Sequence, residues 1–331
     1  MTSNNFHHLA LIFMGCFGLL AVGCRSRDAT PSASSKAQAD DAAALKTLEA
    51  KGVKLQRTGD VVSAVVADNG ELSDADLAHL ARLPGLRKLV LTGKSPITNA
   101  GLEQIAGLES LKELKLSSPH INDDGLRHVA RLKNLRSLGL DGTHVATLEP
   151  LRSWEGLEEL YLFQTQITDD SLAVVATLSQ LRRLRLRGTA VTNAGLAHLV
   201  TLPNLKILDL SETAIGDPGL EQLGRLAALE DVNLWLTKIT DAGLPHLAGL
   251  MHLKSLNLDN TAIGDEGVAQ IAGLTKLEFL HLGKTKLTDA GLANLVGMRE
   301  LRELHVTATA ISDAGLDQLK TKLPQLKKIV R

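Results

Sequence analysis

One feature dominates what this 331-residue chain can fold into: a single 24-residue unit, LxxLxLxxTxITDAGLxxLAxLxx, repeats from Val62 to the C-terminus. Units begin at Val62, Leu86, Leu111, Leu135, Leu157, Leu181, Leu205, Leu229, Leu253, Leu277 and Leu301, and a truncated LKKIVR closes the chain from Leu326. The spacing is 24 residues except for 25 in the units starting at Leu86 and Leu301 and 22 in that starting at Leu135. Each unit changes period midway. LxxLxL ends in alternating apolar residues, as a short strand with one buried face requires. The second half is helical in spacing: in LRRLRLRGTAVTNAGLAHLVTLPN, Leu196, Leu199 and Leu202 recur three apart with Val200 in the same stripe. Strand, turn and helix in every unit predict a stack that lays its strands into one parallel sheet, because each unit can bury its apolar side only against its neighbours.

A 20–29-residue period with this leucine pattern is the signature of leucine-rich repeats, and residues 62–331 resemble that family. The ITDAGL half is similar to its cysteine-containing subfamily, with Thr in place of Cys. The resemblance implies an α/β solenoid: a curved parallel sheet on the concave face and helices on the convex one. It also implies a polar ladder at the ninth position, where the family's Asn or Cys bonds the turn backbone of adjacent units. Thr143, Thr165, Thr189, Thr213, Thr237, Thr261, Thr285 and Thr309 hold that place here, and a hydroxyl can donate and accept as such a ladder needs. Thr or Asp ahead of the helical stripe (Thr240, Asp241) suits an N-cap. The Gly that follows, such as Gly243, suits close approach between units.

The units are not all alike. From Thr143 to Gly156 the chain reads THVATLEPLRSWEG, two residues short and without TDAGL. A turn or 3₁₀ segment is expected there, with Trp154 as filler. Residues 45–61 do not match the unit, and a short helix (Leu45 to Lys51) followed by a strand (Val53 to Arg57) would cover the open N-terminal end of the core.

The N-terminus carries a different signal. Leu9 to Val22 is a run of fourteen uncharged residues, right for a signal-peptide apolar region and short of the ~20 a spanning helix needs. It leads into Leu20-Ala21-Val22-Gly23-Cys24, which resembles a bacterial lipoprotein signal whose Cys becomes the lipidated first residue. Ala21 stands where Leu is commonest, and His7 and His8 replace the usual basic residues, so an ordinary secretory signal and a secreted protein remain the alternative. The reading is a signal peptide over 1–23, lipidated Cys24 with a flexible tether over 24–44, a cap over 45–61, then the array. It predicts an envelope lipoprotein facing periplasm or exterior. Both cysteines, Cys16 and Cys24, precede the array, which excludes disulfides, thiolate-bound zinc and thiol catalysis within it.

Function has to be sought on the strand surface. With positions 1, 4 and 6 pointing inward, positions 3, 5 and 7 face outward and 8 forms the rim. Beyond Cys24 the chain has five aromatics, Trp154, Tyr161, Phe163, Trp235 and Phe279, and the last four fall at outward strand positions where core burial gives no reason for them. Trp, Tyr and Arg are the residues enriched in interface hot spots. The candidate partner-binding set is Tyr161, Phe163, Arg183, Arg185, Arg187, Asp209, Asp231, Asn233, Trp235, Asn257 and Asp259, grading from aromatic and cationic to acidic. A solvated strand face of assorted residues is the plain alternative. His281 and His305, neighbours in column 5, could share a metal with Asp259 or Glu303 nearby, although two His on a solvated sheet are ordinarily just polar surface.

Lys plus Arg is 36 against Asp plus Glu 37, which argues against a nucleic-acid partner. Neither a phosphate loop, a GxSxG elbow, HExxH nor a paired-carboxylate cleft occurs. The expectation is a non-catalytic, monomeric module without cofactor that recognises a protein or peptide. The alternative is a carbohydrate-binding or structural surface module.

Overall fold

The computed structural model describes residues 40–68, 72–93 and 95–331; the expected signal peptide, Cys24 and most of the expected tether lie outside the described residues. Thirteen strands form one sheet in chain order. They are β1 (Lys54–Thr58), β2 (Val61–Ala67), β3 (Lys88–Leu91), β4 (Glu113–Leu116), β5 (Ser137–Gly139), β6 (Glu159–Tyr161), β7 (Arg183–Arg185), β8 (Ile207–Asp209), β9 (Asp231–Asn233), β10 (Ser255–Asn257), β11 (Phe279–His281), β12 (Glu303–His305) and β13 (Lys328–Val330). From β2 onward every pairing is parallel, and column pairs with column, as in Tyr161 opposite Arg185 and Arg185 opposite Asp209. Each repeat therefore contributes its strand where the leucine pattern puts it. The leucine columns form one continuous core: Leu181, Leu184, Leu186 and Leu199 are fully buried, as are their counterparts along the array.

The N-terminal cap begins earlier than its spacing suggests. Helix α1 (Ala42–Ala50) starts three residues ahead of Leu45, within the stretch read as tether, because Asp41 accepts the backbone N–H groups of Ala43 and Ala44 and so caps it. β1 then pairs antiparallel with β2, the single antiparallel pair of the sheet. Lys51 reaches Asp76 at 3.2 Å and Arg82 reaches Asp41 at 2.9 Å, tying the cap to the first unit. The other end is closed by the ten-residue helix Asp313–Lys322, which buries Leu316 and Leu319 over the last strands.

Convex arcs vary with local sequence. The short unit forms the expected 3₁₀ turn, Glu149–Leu151, and Trp154 fills the space beneath it, 2% exposed, with its indole N–H donating to Ala130 O at 3.2 Å. The unit starting at Leu229 also makes a 3₁₀ helix, Asp241–Leu247, around Pro245, which has no N–H for an α-type bond.

The threonine ladder differs from expectation. Each ninth-position hydroxyl donates to a carbonyl three residues back in its own unit: Thr189 to Leu186 O at 2.6 Å, Thr237 to Leu234 O at 2.6 Å, Thr285 to Leu282 O at 2.7 Å. The hydroxyl closes the turn after its own strand and does not reach the next unit. The shorter branched side chain meets the nearest free carbonyl first.

The inter-unit ladder is built instead by the acidic residue of TDAGL. Asp217 accepts the Thr240 N–H at 2.8 Å on one oxygen and the Thr240 hydroxyl at 2.6 Å on the other. Asp169 to Thr192, Asp265 to Thr288 and Asp289 to Ser312 repeat the arrangement, and Asn193 accepts from Gly216 N. The same Thr caps its own helix, accepting from Ala242 N in the case of Thr240.

The invariant spacing of Asp and Gly follows from this contact. A Cβ on Gly243 would lie 2.5 Å from Asp217 Oδ1, so the previous unit's carboxylate occupies the space a side chain needs. An asparagine in that place, Asn99 or Asn193, fills the same space before Gly125 or Gly219, and where the previous unit has neither Asp nor Asn the glycine is absent. Ser171 follows the short arc, whose matching residue is Thr147, and donates its hydroxyl to Ala146 O at 2.9 Å. Asp76, in the first unit, likewise has only the cap before it and binds Ser73 and Lys51.

Candidate functional site

The strand columns bring most of the predicted residues together on β6 to β9. Phe163, Arg187 and Trp235 form a stack along column 7. The Arg187 guanidinium lies 4.8 Å from the Phe163 ring centre and 4.9 Å from that of Trp235. Glu212 holds it from the rim with two bonds of 3.1 Å, from Nε and from the outer nitrogen. A planar cation with aromatic contacts on both sides and a bidentate carboxylate has little freedom left. Ser211, the column-7 residue between Arg187 and Trp235, is 0% exposed. Next to Trp235 on the rim stands Leu236, 44% exposed with φ at 53°, a left-handed conformation that costs a leucine roughly 1–2 kcal/mol. The same left-handed turn recurs at Gln164, Glu212, Asn260, Lys284 and Ala308 and so belongs to the repeat; at Leu236 it carries an exposed apolar side chain beside a fixed aromatic.

Tyr161 lies deeper than an outward strand position implies. It is 9% exposed, its hydroxyl donates to Glu159 at 2.9 Å, and Lys115 Nζ and the Arg185 guanidinium stand 5.0 and 5.4 Å from its ring centre. Burial, with the Glu159 bond and charge, pushes its phenol pKa up. Lys115 reaches the ring across β5, where Gly139 offers no side chain in the way; a Cβ there would sit 3.1 Å from Lys115 Cγ. Arg183 lies 3.6 Å from Glu159, and its buried Nε has no hydrogen-bond partner.

Beyond β7 the face turns acidic. Asp209 accepts the N–H and hydroxyl of Ser211 at 3.1 and 2.6 Å. Asn233 and Asn257 each accept the N–H two residues on, from Trp235 at 3.1 Å and Asp259 at 3.0 Å. These column-5 residues thus shape the turns that present column 7. Asp231 is held by the Ser255 hydroxyl, and burial, helped by Asp209, raises its pKa against the pull of Arg183 and Arg185.

Besides Glu212 and Leu236 on the rim, three participants in the strand columns lie outside the set picked from the sequence: Lys115, Glu159 and Asp141. Asp141 accepts Phe163 N–H at 2.9 Å, and its burial raises its pKa despite Arg185 and Lys115 nearby. Glu159 holds column 3 of the aromatic unit itself, Asp141 column 7 of the unit before it and Lys115 column 5 of the unit before that, so the same columns contain all three.

Asn257 and Asp259 lie one strand beyond Trp235 and adjoin a separate aromatic cluster. His281 and His305 stack at 4.7 Å between ring centres, with Phe279 5.2 Å from His305. His305 Nε2 lies 2.6 Å from Glu303, which Lys328 also contacts at 2.7 Å, and Asp259 stands 3.8 Å from His281. Burial lowers the His281 pKa. Among the described residues no group of three or more His, Cys, Asp or Glu is placed to hold a metal ion. Nor is any described helix long and apolar enough to cross a membrane.

A stack of strand–turn–helix units with this register defines the leucine-rich-repeat solenoid. Comparison with known proteins agrees: the family description "Leucine rich repeat" matches residues 84–145, and a second, "Leucine Rich repeat", matches 201–224, 249–272 and 273–296. The chain carries leucine-rich repeats. Among solved structures, an internalin (inlF) of Listeria monocytogenes superposes with a TM-score of 0.62 at 19% identity, over 86% of this chain and 92% of that one. An internalin C2 of the same organism (TM-score 0.44, 25% identity, 70% and 83% coverage) is also similar. So is the ectodomain of the plant receptor kinase GASSHO1/SCHENGEN3 of Arabidopsis thaliana (0.49, 18%, 84% and 39%). No curated protein sequence matches the chain. Leucine-rich repeats generally mediate binding between proteins, and solenoid curvature provides an extended surface for it.

Proposed function

We propose that this chain is a lipid-anchored binding module of a bacterial cell envelope, not an enzyme, and that it recognises a protein or peptide through the concave face of β6 to β10. The observation that carries the reading is the Phe163–Arg187–Trp235 stack, immobilised by Glu212 and flanked by exposed Leu236. Pre-ordered aromatics and Arg lose little entropy on contact, which is why such residues dominate binding energy. Cys24 would carry the lipid, and residues between it and Asp40 would give the array reach from the membrane surface.

Two measurements test it. Photo-crosslinking from rim positions in intact cells should trap a partner, and Trp235→Ala and Arg187→Ala should weaken capture while the melting midpoint moves little. Unchanged capture by both variants would refute the concave site. Labelled palmitate should enter the wild-type chain and not Cys24→Ser; equal labelling, or none in either, would refute the anchor.

A further inference from the structure

The outward cations of this sheet are nearly all neutralised within it. Lys88 and Lys115 both meet Glu113, at 3.0 and 3.3 Å; Arg183 meets Glu159 at 3.6 Å; Arg187 meets Glu212; Lys328 meets Glu303 at 2.7 Å. Arg185 is the exception among the described strand columns. It is exposed, has no carboxylate at ion-pair distance, and leans onto the Tyr161 ring. Its register partner on β8 is Asp209, an opposite charge one strand away. Such neighbours ordinarily pair. Here they do not, because each is held elsewhere: Arg185 by the ring and Asp209 by both donors of Ser211. Asp231, one strand further, takes the Ser255 hydroxyl, and although Arg183 and Arg185 pull on it, neither stands at ion-pair distance. The face thus keeps one guanidinium over β7 and two carboxylates over β8 and β9, none of them in a direct ion pair.

We infer that these three residues, Arg185 against Asp209 and Asp231, select a bipolar peptide segment, which sets a carboxylate on Arg185 and a lysine or arginine over the Asp pair. This rests on the binding reading above and deepens it. One strand spacing separates Arg185 from Asp209 and two separate it from Asp231, so the opposite charges of the ligand should stand about 5–10 Å apart. Arg185 suits a carboxylate because its planar fork is pre-oriented by Tyr161, and the acidic pole excludes the reversed orientation by like-charge contact. Leu236 and Trp235 lie beside the acidic pole and would receive an apolar neighbour of the basic residue.

The test uses the soluble array and labelled synthetic peptides carrying one glutamate and one lysine at varied separations and in both orders, each beside versions with glutamine at either place. One separation should bind about ten-fold more tightly than its glutamine versions, and the preference should fade as salt shortens the screening length below ~10 Å. Arg185→Gln should abolish the advantage of glutamate alone, and Asp231→Asn part of the advantage of lysine alone. Binding that depends on Trp235 but ignores peptide charge would overturn this inference and leave the binding reading standing. Charge preference that survives in Arg185→Gln would overturn it too. If no peptide binds, the inference fails, and the cross-linking experiment judges the broader reading. The glutamine peptides need no protein variant, so they decide the matter even if a substituted chain folds poorly.

Discussion

Gly243→Ala isolates the contact that holds one repeat to the next. The new methyl would stand 2.5 Å from Asp217 Oδ1 and 3.1 Å from Asp217 Cα, against backbone-anchored atoms. Leu220 Cδ1, at 2.9 Å, is the end of a flexible side chain and can turn aside. The carboxylate must therefore leave, and with it go its bonds to the Thr240 N–H and hydroxyl. Hydrogen bonds to a charged group contribute roughly 1.5–3 kcal/mol each, and partial exposure places these at the low end, so the pair contributes about 3 kcal/mol. Replacing Gly by Ala in a helical segment returns up to about 1 kcal/mol. The net cost is about 2 kcal/mol. In an Asp217→Ala background the obstruction is gone, and the same substitution should be neutral or slightly stabilising. Urea midpoints of the four proteins, followed by circular dichroism, give the coupling, expected at about 2–3 kcal/mol. An equal cost of Gly243→Ala with and without Asp217 would show that the glycine answers to backbone conformation and not to the neighbour's carboxylate.

Other consequences are directly measurable. Tyr161→Ala should destabilise by about 3 kcal/mol, since the ring is almost enclosed, whereas Tyr161→Phe should lose only the Glu159 bond, about 1 kcal/mol; equal midpoints for wild type and Tyr161→Ala would contradict the burial. Lys206 and Lys254, at 2.5 and 2.7 Å, hold the Glu230 pKa down at about 2 from an ordinary 4.5. A carboxylate depressed in the folded state contributes stability that is complete above about pH 4.5 and is lost as pH falls toward 2; acid unfolding of Glu230→Gln should lack that component, and identical acid profiles would refute the assignment. Ser171→Gly should destabilise by about 1 kcal/mol, because it deletes the bond to Ala146 O where no carboxylate needs the space; a stabilising change would contradict it.

The solenoid was legible because its determinant is periodic. Leucines at fixed intervals state which side of every strand is buried, and one register explains all eleven units. The partners of short polar side chains were not legible in the same way. The carbonyl of Leu186 and the turn of the next unit are both within reach of a threonine drawn from sequence, and only the backbone path decides for Leu186. The Asp217–Gly243 contact leaves a trace in the text of the chain, since Ser171 and Asp76 replace glycine where the preceding unit lacks the acid, but the trace acquires meaning only once the packing is seen. On the concave face the columns set these side chains next to one another and missed their orientations. Column 5 puts Arg185 beside Asp209, yet the ring of Tyr161 and the hydroxyl of Ser211 draw them apart, and the aromatic expected to stand free is largely covered.

The carboxylate-and-glycine contact also sets rules for rearranging the array. Every junction between a TDAGL-type unit and its successor matches an Asp or Asn side chain to a glycine that leaves it room, so the units beginning at Leu181, Leu205, Leu229 and Leu253 are exchangeable modules that can be duplicated or deleted in whole numbers. The unit beginning at Leu157 is not exchangeable: with Ser171 at its entrance it tolerates as predecessor only a unit without the acid, and the short arc at 143–156 is that unit. The short arc and the aromatic strand that follows it are therefore inseparable cargo, and recombination along this chain can lengthen the acidic side of the face while leaving the Tyr161 junction in one copy.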